Sequence, residues 1–169
     1  MANYTKPYSF NIVLNSQQVS ASSSGNNNDC TYDFNWTNIP QGKYEMSFSY
    51  KGQNNADFVA NDSPQLFLSI GAVASTYQAS NKIGSVISQY IGGLHAETHD
   101  AVNVNFYSNE QDNCSVYFDN MPTSGPIRLQ VFRANFSTPF TTATGGLELA
   151  NYVVVLHFKQ IGKLDGYNI

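Results

Sequence analysis

Charge is what this chain has least of. Asp, Glu, Lys and Arg make up 12% of its 169 residues, against roughly 25% in an ordinary soluble domain. Only eight residues are basic, none of them gathered into a run, and the net charge is −4. A phosphate backbone would find no electrostatic footprint here, so nucleic acid is not an expected partner. No stretch approaches the roughly 18 apolar residues of a membrane-spanning helix. The opening MANYTKPYSFNIVLN has no continuous apolar h-region, so no cleavable signal peptide is expected. The cytoplasm, or an assembly made there, becomes the expected compartment. Motifs of chemistry are missing as well: there is no Gly-x-Ser-x-Gly elbow, phosphate-cradling glycine loop, CxxC or His-Glu-x-x-His.

Twenty Asn and eighteen Ser occupy the places that charge leaves empty. Five Asn-x-Ser/Thr sequons, at Asn3, Asn35, Asn61, Asn113 and Asn135, accompany this composition. Without a signal peptide they are expected to be unused. Apolar content is ordinary at 41%, so a packed core is available and one domain spanning residues 1–169 is expected. Residues 1–7 and 161–169 read as flexible ends.

Period-two alternation runs from end to end. Tyr8, Phe10, Ile12 and Leu14 share one phase. DCTYDFNWTNIPQGKYEMSFSYKG, from Asp29 to Gly52, reads as a β-hairpin closed by a turn at Pro40 and Gly42. Tyr32, Phe34 and Trp36 face inward on its first arm, and Tyr44, Met46, Phe48 and Tyr50 on its second. Further sets are Leu66/Leu68/Ile70, Val102/Val104/Phe106, Cys114/Val116/Phe118 and Ile127/Leu129/Val131. NYVVVLHF, Asn151 to Phe158, is apolar on both faces and reads as a central, doubly covered strand. The segment around Ile83 to Ile91 fits a helix or a strand, and its β-branched residues and glycines tilt it to strand. Gly25 to Asp29 reads as a mobile loop within the domain. The whole is all-β, with eight or nine strands separated by turn signals, the pattern of a sandwich or barrel.

Cys30 and Cys114 each open an alternating segment in phase with its apolar set. They are expected as buried thiols packing as small hydrophobes, with a disulfide between them as the alternative. Neither has a basic neighbour in sequence to make it reactive.

Candidate chemistry is thin. In LHAETHD, His95, Glu97 and His99 alternate, so an extended strand would point all three one way, toward a divalent ion. They are the metal candidates, set against an exposed loop and the lack of a fourth ligand; no cofactor is expected. His157 shares a face with Val153 and Val155 and reads as packed or partner-facing rather than as a base. Asp29, Asp33, Glu45, Asp57 and Asp62 show no pairing and read as solvated surface. For sugar binding, Trp36 is in phase with the core, which leaves Tyr77, Tyr90, Tyr107 and Tyr117 as the candidate exposed rings.

Low charge bears on assembly. Edge strands of a sandwich are usually guarded by Lys or inward charges, and this chain has few. A surface covered by partners explains the deficit; a monomer coated in Asn, Ser and Gln explains it equally.

An opening strand ending in LNS leads through a Ser-rich loop into CTYDFNWTNIPQGKYEMSFSYKG, and GPIRLQVFRANFSTPFTTATGGLELANYVVVLHFKQI closes the chain. In strand pattern and turns, the chain resembles the small single jelly-roll capsid proteins, minor capsid or penton, of nucleocytoplasmic large DNA viruses and their virophages. The strand before IP-x-GKY and the final YVVxLxF-type strand carry the resemblance. It implies a single jelly-roll β-sandwich of eight strands in two sheets, and no catalytic residues. It also implies a virion location after assembly in host cytoplasm. The expected partners are copies of the chain, as a homo-oligomer such as a pentamer, and a major capsid protein. Two readings follow: a non-enzymatic capsid subunit that builds or seals an icosahedral shell, and, as the alternative, a carbohydrate-binding β-sandwich module.

Overall fold

In the strand Lys43–Asn54, Tyr44, Met46, Phe48 and Tyr50 are buried while Lys43 and Lys51 are exposed and Glu45 is half-buried. Successive side chains of a strand point to opposite faces, so one row of this strand builds core and the other meets solvent. The computed structural model describes residues 7–18, 21–22, 29–54, 65–71, 89–96, 105–108, 115–132 and 149–162. Within them lie β1 (Ser9–Asn15), β2 (Ala21–Ser22), β3 (Asp29–Tyr32), β4 (Lys43–Asn54), β5 (Gln65–Ile70) and β6 (Gln89–Gly93). They are followed by β7 (His95–Ala96), β8 (Asn105–Ser108), β9 (Val116–Phe118), β10 (Ile127–Phe132) and β11 (Leu149–Gly162).

These strands form an all-β sandwich of two antiparallel sheets. One runs β1-β11-β4-β8-β7, with β9 also paired to β4; the other runs β2-β3-β10-β5-β6. Among the described residues β2 and β7, of two residues each, are too short to leave an alternation in the sequence, and the nine longer strands answer to the eight or nine expected. Gln89 to Ile91 lies in β6 and is strand, with Ile91 fully buried; residues 83–88 fall outside the described residues, as do Val102, Val104 and Cys114.

Inward rows of both sheets share one core. From the first sheet come Phe10, Ile12, Leu14, Tyr44, Met46, Phe48, Tyr50, Tyr152, Val154, Leu156 and Phe158; from the second, Cys30, Tyr32, Leu66, Leu68, Ile70, Ile127, Leu129 and Val131. Rings fasten the first sheet. Phe10 of β1 stacks on Phe158 of β11 at 4.8 Å and 5°, and Phe118 of β9 meets the same ring at 6.1 Å. Tyr50 stacks on Tyr152 at 5.5 Å. Such pairs add about 0.5–1.5 kcal/mol each beyond the area they bury.

The expected hairpin from Asp29 to Gly52 does not form. Its first arm, β3, belongs to the second sheet, between β2 and β10, while its second arm, β4, lies in the first sheet between β11 and β8. The chain between them crosses from one sheet to the other. Inward rows on both arms are satisfied by facing each other across the core, and alternation alone does not distinguish that from pairing side by side. Trp36 anchors the crossing: it is buried, and its indole Nε1 donates to the Gly125 carbonyl at 2.7 Å. The Ile39 N–H donates to the Trp36 carbonyl at 3.1 Å and the Tyr44 hydroxyl to the Pro40 carbonyl at 2.8 Å. Gly71 closes the turn next to this anchor with φ of 56°, where an added Cβ would lie 2.7 Å from the Ser124 carbonyl oxygen. Only glycine fits there.

β11 is central, as expected, but it is covered on one face only. Tyr152, Val154, Leu156 and Phe158 point into the core, while Val153 on the opposite face keeps 39% of its surface exposed. Asp29 is likewise no part of a loop but the first residue of β3. Ile161 and Gly162, placed in a flexible end by the sequence reading, continue β11.

Candidate functional site

The outward face of the first sheet carries the most organised group of polar side chains. Register places Ser9, Asn11 and Val13 of β1 opposite Lys159, His157 and Val155 of β11. It also places Glu45, Ser47 and Ser49 of β4 opposite Lys159, His157 and Val155 from the other side. Three strands therefore bring one side-chain row each to the same patch. His157 sits at the centre, its Nδ1 3.0 Å from Asn11 Oδ1 and its Nε2 2.9 Å from the Ser49 hydroxyl. With Nδ1–H donating to the amide oxygen, Nε2 can accept from the serine, and the ring is held between two strands.

Beside it is a shallow groove of about 450 Å³, whose lining includes Asn11, Glu45, Ser47, Ser115, His157 and Lys159. Glu45 Oε1 accepts from the Ser115 hydroxyl at 2.8 Å and from the Tyr117 hydroxyl at 3.5 Å. Its Oε2 has no partner among the described residues. Lys159 lies directly across from Glu45; the one ion pair among the described residues is elsewhere. Tyr117, 41% exposed, lies on β9 directly opposite Glu45, beside the groove rather than in its lining. The arrangement offers hydrogen-bond donors and acceptors, an aromatic ring and balanced charge. It also places the Ser49 hydroxyl 2.9 Å from His157 Nε2, a hydroxyl beside a base.

A second polar group is buried between the sheets. The Tyr32 and Tyr152 hydroxyls meet at 3.3 Å, and the Cys30 thiol, fully buried, hydrogen-bonds to both phenols. Burial, the largest cause for each of the three, pushes all of them above their ordinary values. Cys30 is a free thiol, packed as the sequence indicated and held protonated, which suits a structural rather than a reactive role. Ser16 completes one edge of this group: its N–H donates to the Tyr152 carbonyl at 3.1 Å and its Oγ accepts from the Tyr152 N–H at 3.0 Å.

A third lies on the outward face of the second sheet. Arg128 grips Asp29 with two parallel bonds, Nε to Oδ1 at 2.7 Å and Nη2 to Oδ2 at 2.6 Å, and Gln130 adds Nε2 to Oδ2 at 3.1 Å. The guanidinium beside Asp29 is held further above its usual value by that hydrogen bond. Asp29 is thus a paired, partly buried strand residue and not the solvated acid expected from sequence. Its partner is 99 residues away, beyond any local signal.

Of the metal candidates, His95 lies on β7 with its backbone opposite Ser108; its side chain, Glu97 and His99 fall outside the described residues. Among the described residues there is no group of three or more His, Cys, Asp or Glu able to hold a metal ion. Trp36 is in the core, as its phase indicated, and Tyr90 and Tyr117 are exposed; Tyr77 and the Tyr107 side chain are outside the described residues, as are Asp57 and Asp62. Among the described residues, no helix is long and apolar enough to cross a membrane. Comparison with family models, with curated proteins and with solved structures finds no match.

Proposed function

We propose that this chain is a structural subunit of an icosahedral viral capsid, a single jelly-roll minor capsid or penton protein acting through contacts with its own copies and with a major capsid protein. The strand order supports the jelly-roll part of this reading. β1, β11, β4 and β8 in one sheet and β3, β10, β5 and β6 in the other are two four-stranded sets in which early and late strands interleave, as two Greek keys require.

The observation that carries the assembly reading is the edge at β1. The Tyr8 carbonyl accepts from the Gln160 N–H at 2.8 Å, and the Ser16 N–H donates to the Tyr152 carbonyl. Antiparallel pairing alternates, so even-numbered residues turn their backbone groups to β11 while Ser9, Asn11 and Val13 turn theirs outward. Among the described residues nothing pairs with that side. The strand SFNIVLN carries no charge and no proline, and Val13 is 62% exposed. A monomer that must stay a monomer guards such an edge; a subunit whose neighbours cover it has no need to. Capsid function in this reading is non-enzymatic, exercised in the virion after cytoplasmic assembly.

Native mass over a range of concentrations, with and without EDTA, tests the proposal. A discrete homo-oligomer indifferent to EDTA is expected, a pentamer for a penton, with Val13→Lys weakening it. A strict monomer carrying a stoichiometric divalent ion and destabilised by EDTA would overturn it and turn attention to His95, Glu97 and His99.

A further inference from the structure

The groove beside His157 has a use that shell-building does not require. We propose that it is a binding subsite for a neutral saccharide, with Tyr117 as the stacking ring and Glu45, Lys159 and Asn11 as the groups that read hydroxyls. Charge balance selects the ligand class. Glu45 and Lys159 face each other across adjacent strands, so an anionic ligand that approached the lysine would meet the carboxylate, and a cation would meet the ammonium. A polyhydroxyl ligand meets neither penalty, because each hydroxyl both donates and accepts.

Free valences are placed to match. Glu45 commits Oε1 to Ser115 and Tyr117 and leaves Oε2 as an acceptor. Asn11 commits Oδ1 to His157, which turns its amide NH₂ to the other side as a donor. Lys159 and Ser47 add a cationic donor and a hydroxyl along the same lining. The serine and tyrosine hydroxyls on Oε1 hold the carboxylate in place before a ligand arrives, so less ordering is lost on binding. Tyr117 supplies what the polar row lacks, an exposed ring for the C–H face of a sugar. Apart from Pro7 and Phe158 every lining residue carries a polar side-chain group for a ligand hydroxyl to meet, between stretches of apolar surface that suit the C–H faces of a sugar.

The test is a titration of the isotopically labelled protein with methyl glycosides of glucose, galactose, mannose and N-acetylglucosamine, followed by amide chemical shifts, with N-acetylneuraminic acid as the charged comparison. At least one neutral glycoside is expected to shift Asn11, Glu45, Ser115, Tyr117 and His157 together, saturating at millimolar concentration. Tyr117→Ala is expected to weaken binding by about tenfold, the worth of one well-placed aromatic contact, and Glu45→Gln by a similar factor. Tyr117→Phe keeps the ring and retains most of the affinity. Tyr90→Ala, on the other sheet, leaves it unchanged. The proposal is overturned if no neutral glycoside shifts these residues at tens of millimolar, if the charged sugar binds more tightly than all the neutral ones, or if Tyr90→Ala is as damaging as Tyr117→Ala. None of these results depends on the oligomeric state, so the capsid reading stands or falls separately.

Discussion

Raising the pH should unfold this protein in a single cooperative step, and the buried phenols set where. Tyr32 and Tyr152 meet across the core, and burial pushes both well above the 10.0 of a free tyrosine. Below that value, folded and unfolded chains alike keep these protons, and the two groups' contribution to stability is fully present. Above it only the unfolded chain releases them, so stability falls as the pH climbs toward the raised folded-state values. Each group removes about 1.4 kcal/mol per pH unit in that window. Two of them together remove roughly 5 kcal/mol over the two units above pH 10, comparable with the lower end of a domain's whole stability. Cys30, raised by the same burial, adds loss in the same direction above its ordinary 9.0. Unfolding is therefore expected at roughly pH 11–12, with a jump in tyrosinate absorbance that coincides with loss of the far-ultraviolet β signal. Tyr152→Phe should lower stability at neutral pH by about 1–2 kcal/mol, because Tyr32 loses a hydroxyl partner, yet flatten the alkaline fall. The wild-type and variant stability curves should then converge as pH rises. A gradual rise in tyrosinate absorbance with the sheet signal unchanged, or a variant whose alkaline slope equals the wild type's, would refute the reasoning.

Other perturbations probe separate parts of the fold. Phe158→Ala removes the ring shared by Phe10 and Phe118 and should cost about 3–5 kcal/mol, read as a lower denaturant midpoint; a loss under about 1 kcal/mol would mean that these rings do not fasten β1 and β9 to β11. Asp29→Asn should cost about 1–3 kcal/mol by leaving the Arg128 guanidinium without its bidentate acceptor. Combining it with Arg128→Met should cost less than the two changes summed, in a double-mutant cycle. In a Cys114→Ser background, Cys30 should resist an aromatic disulfide reagent at neutral pH and react fully once denaturant is added; rapid labelling of the native protein would contradict its burial.

Much of the fold was legible in the sequence because burial in a sandwich follows the period of the strand. Tyr44, Met46, Phe48 and Tyr50 are inward, Lys43, Glu45 and Lys51 outward, and Cys30 and Trp36 buried, each as its phase dictates. What alternation cannot encode is the partner. The arms at Asp29–Tyr32 and Lys43–Asn54 carry the same inward pattern whether they pair or face each other, and the deciding contact, Trp36 to Gly125, joins residues 89 apart. The candidate groove was hidden for the same reason. His157 could be placed outward beside Val153 and Val155, but its partners are 146 residues away at Asn11 and 108 away at Ser49. Serine and asparagine also dominate the composition, so two that matter look like all the others.

That same composition gives the two proposals a common physical basis. Covering a charged side chain strips it of water at a cost that an ion pair often only balances, whereas an amide or hydroxyl loses less and finds a partner in many orientations. The outward rows at β1, β11 and β4 are mostly Ser, Asn and Val, with Lys43, Glu45, Lys51 and Lys159 the charged members and His157 already held by two neutral partners. A surface of this kind is inexpensive to cover, by a neighbouring subunit along the β1 edge or by a sugar over the groove. The two positions meet at Ser9 and Asn11 and part from there. The edge continues along the backbone to Val13, which does not line the groove, while the groove reaches across to Glu45 and Ser115, with Tyr117 paired opposite Glu45. A lysine at Val13 should therefore disturb assembly and spare glycoside binding, and alanine at Tyr117 should do the reverse. If either substitution removes both properties together, the face acts as one surface with one ligand, and the separation argued from strand register is wrong.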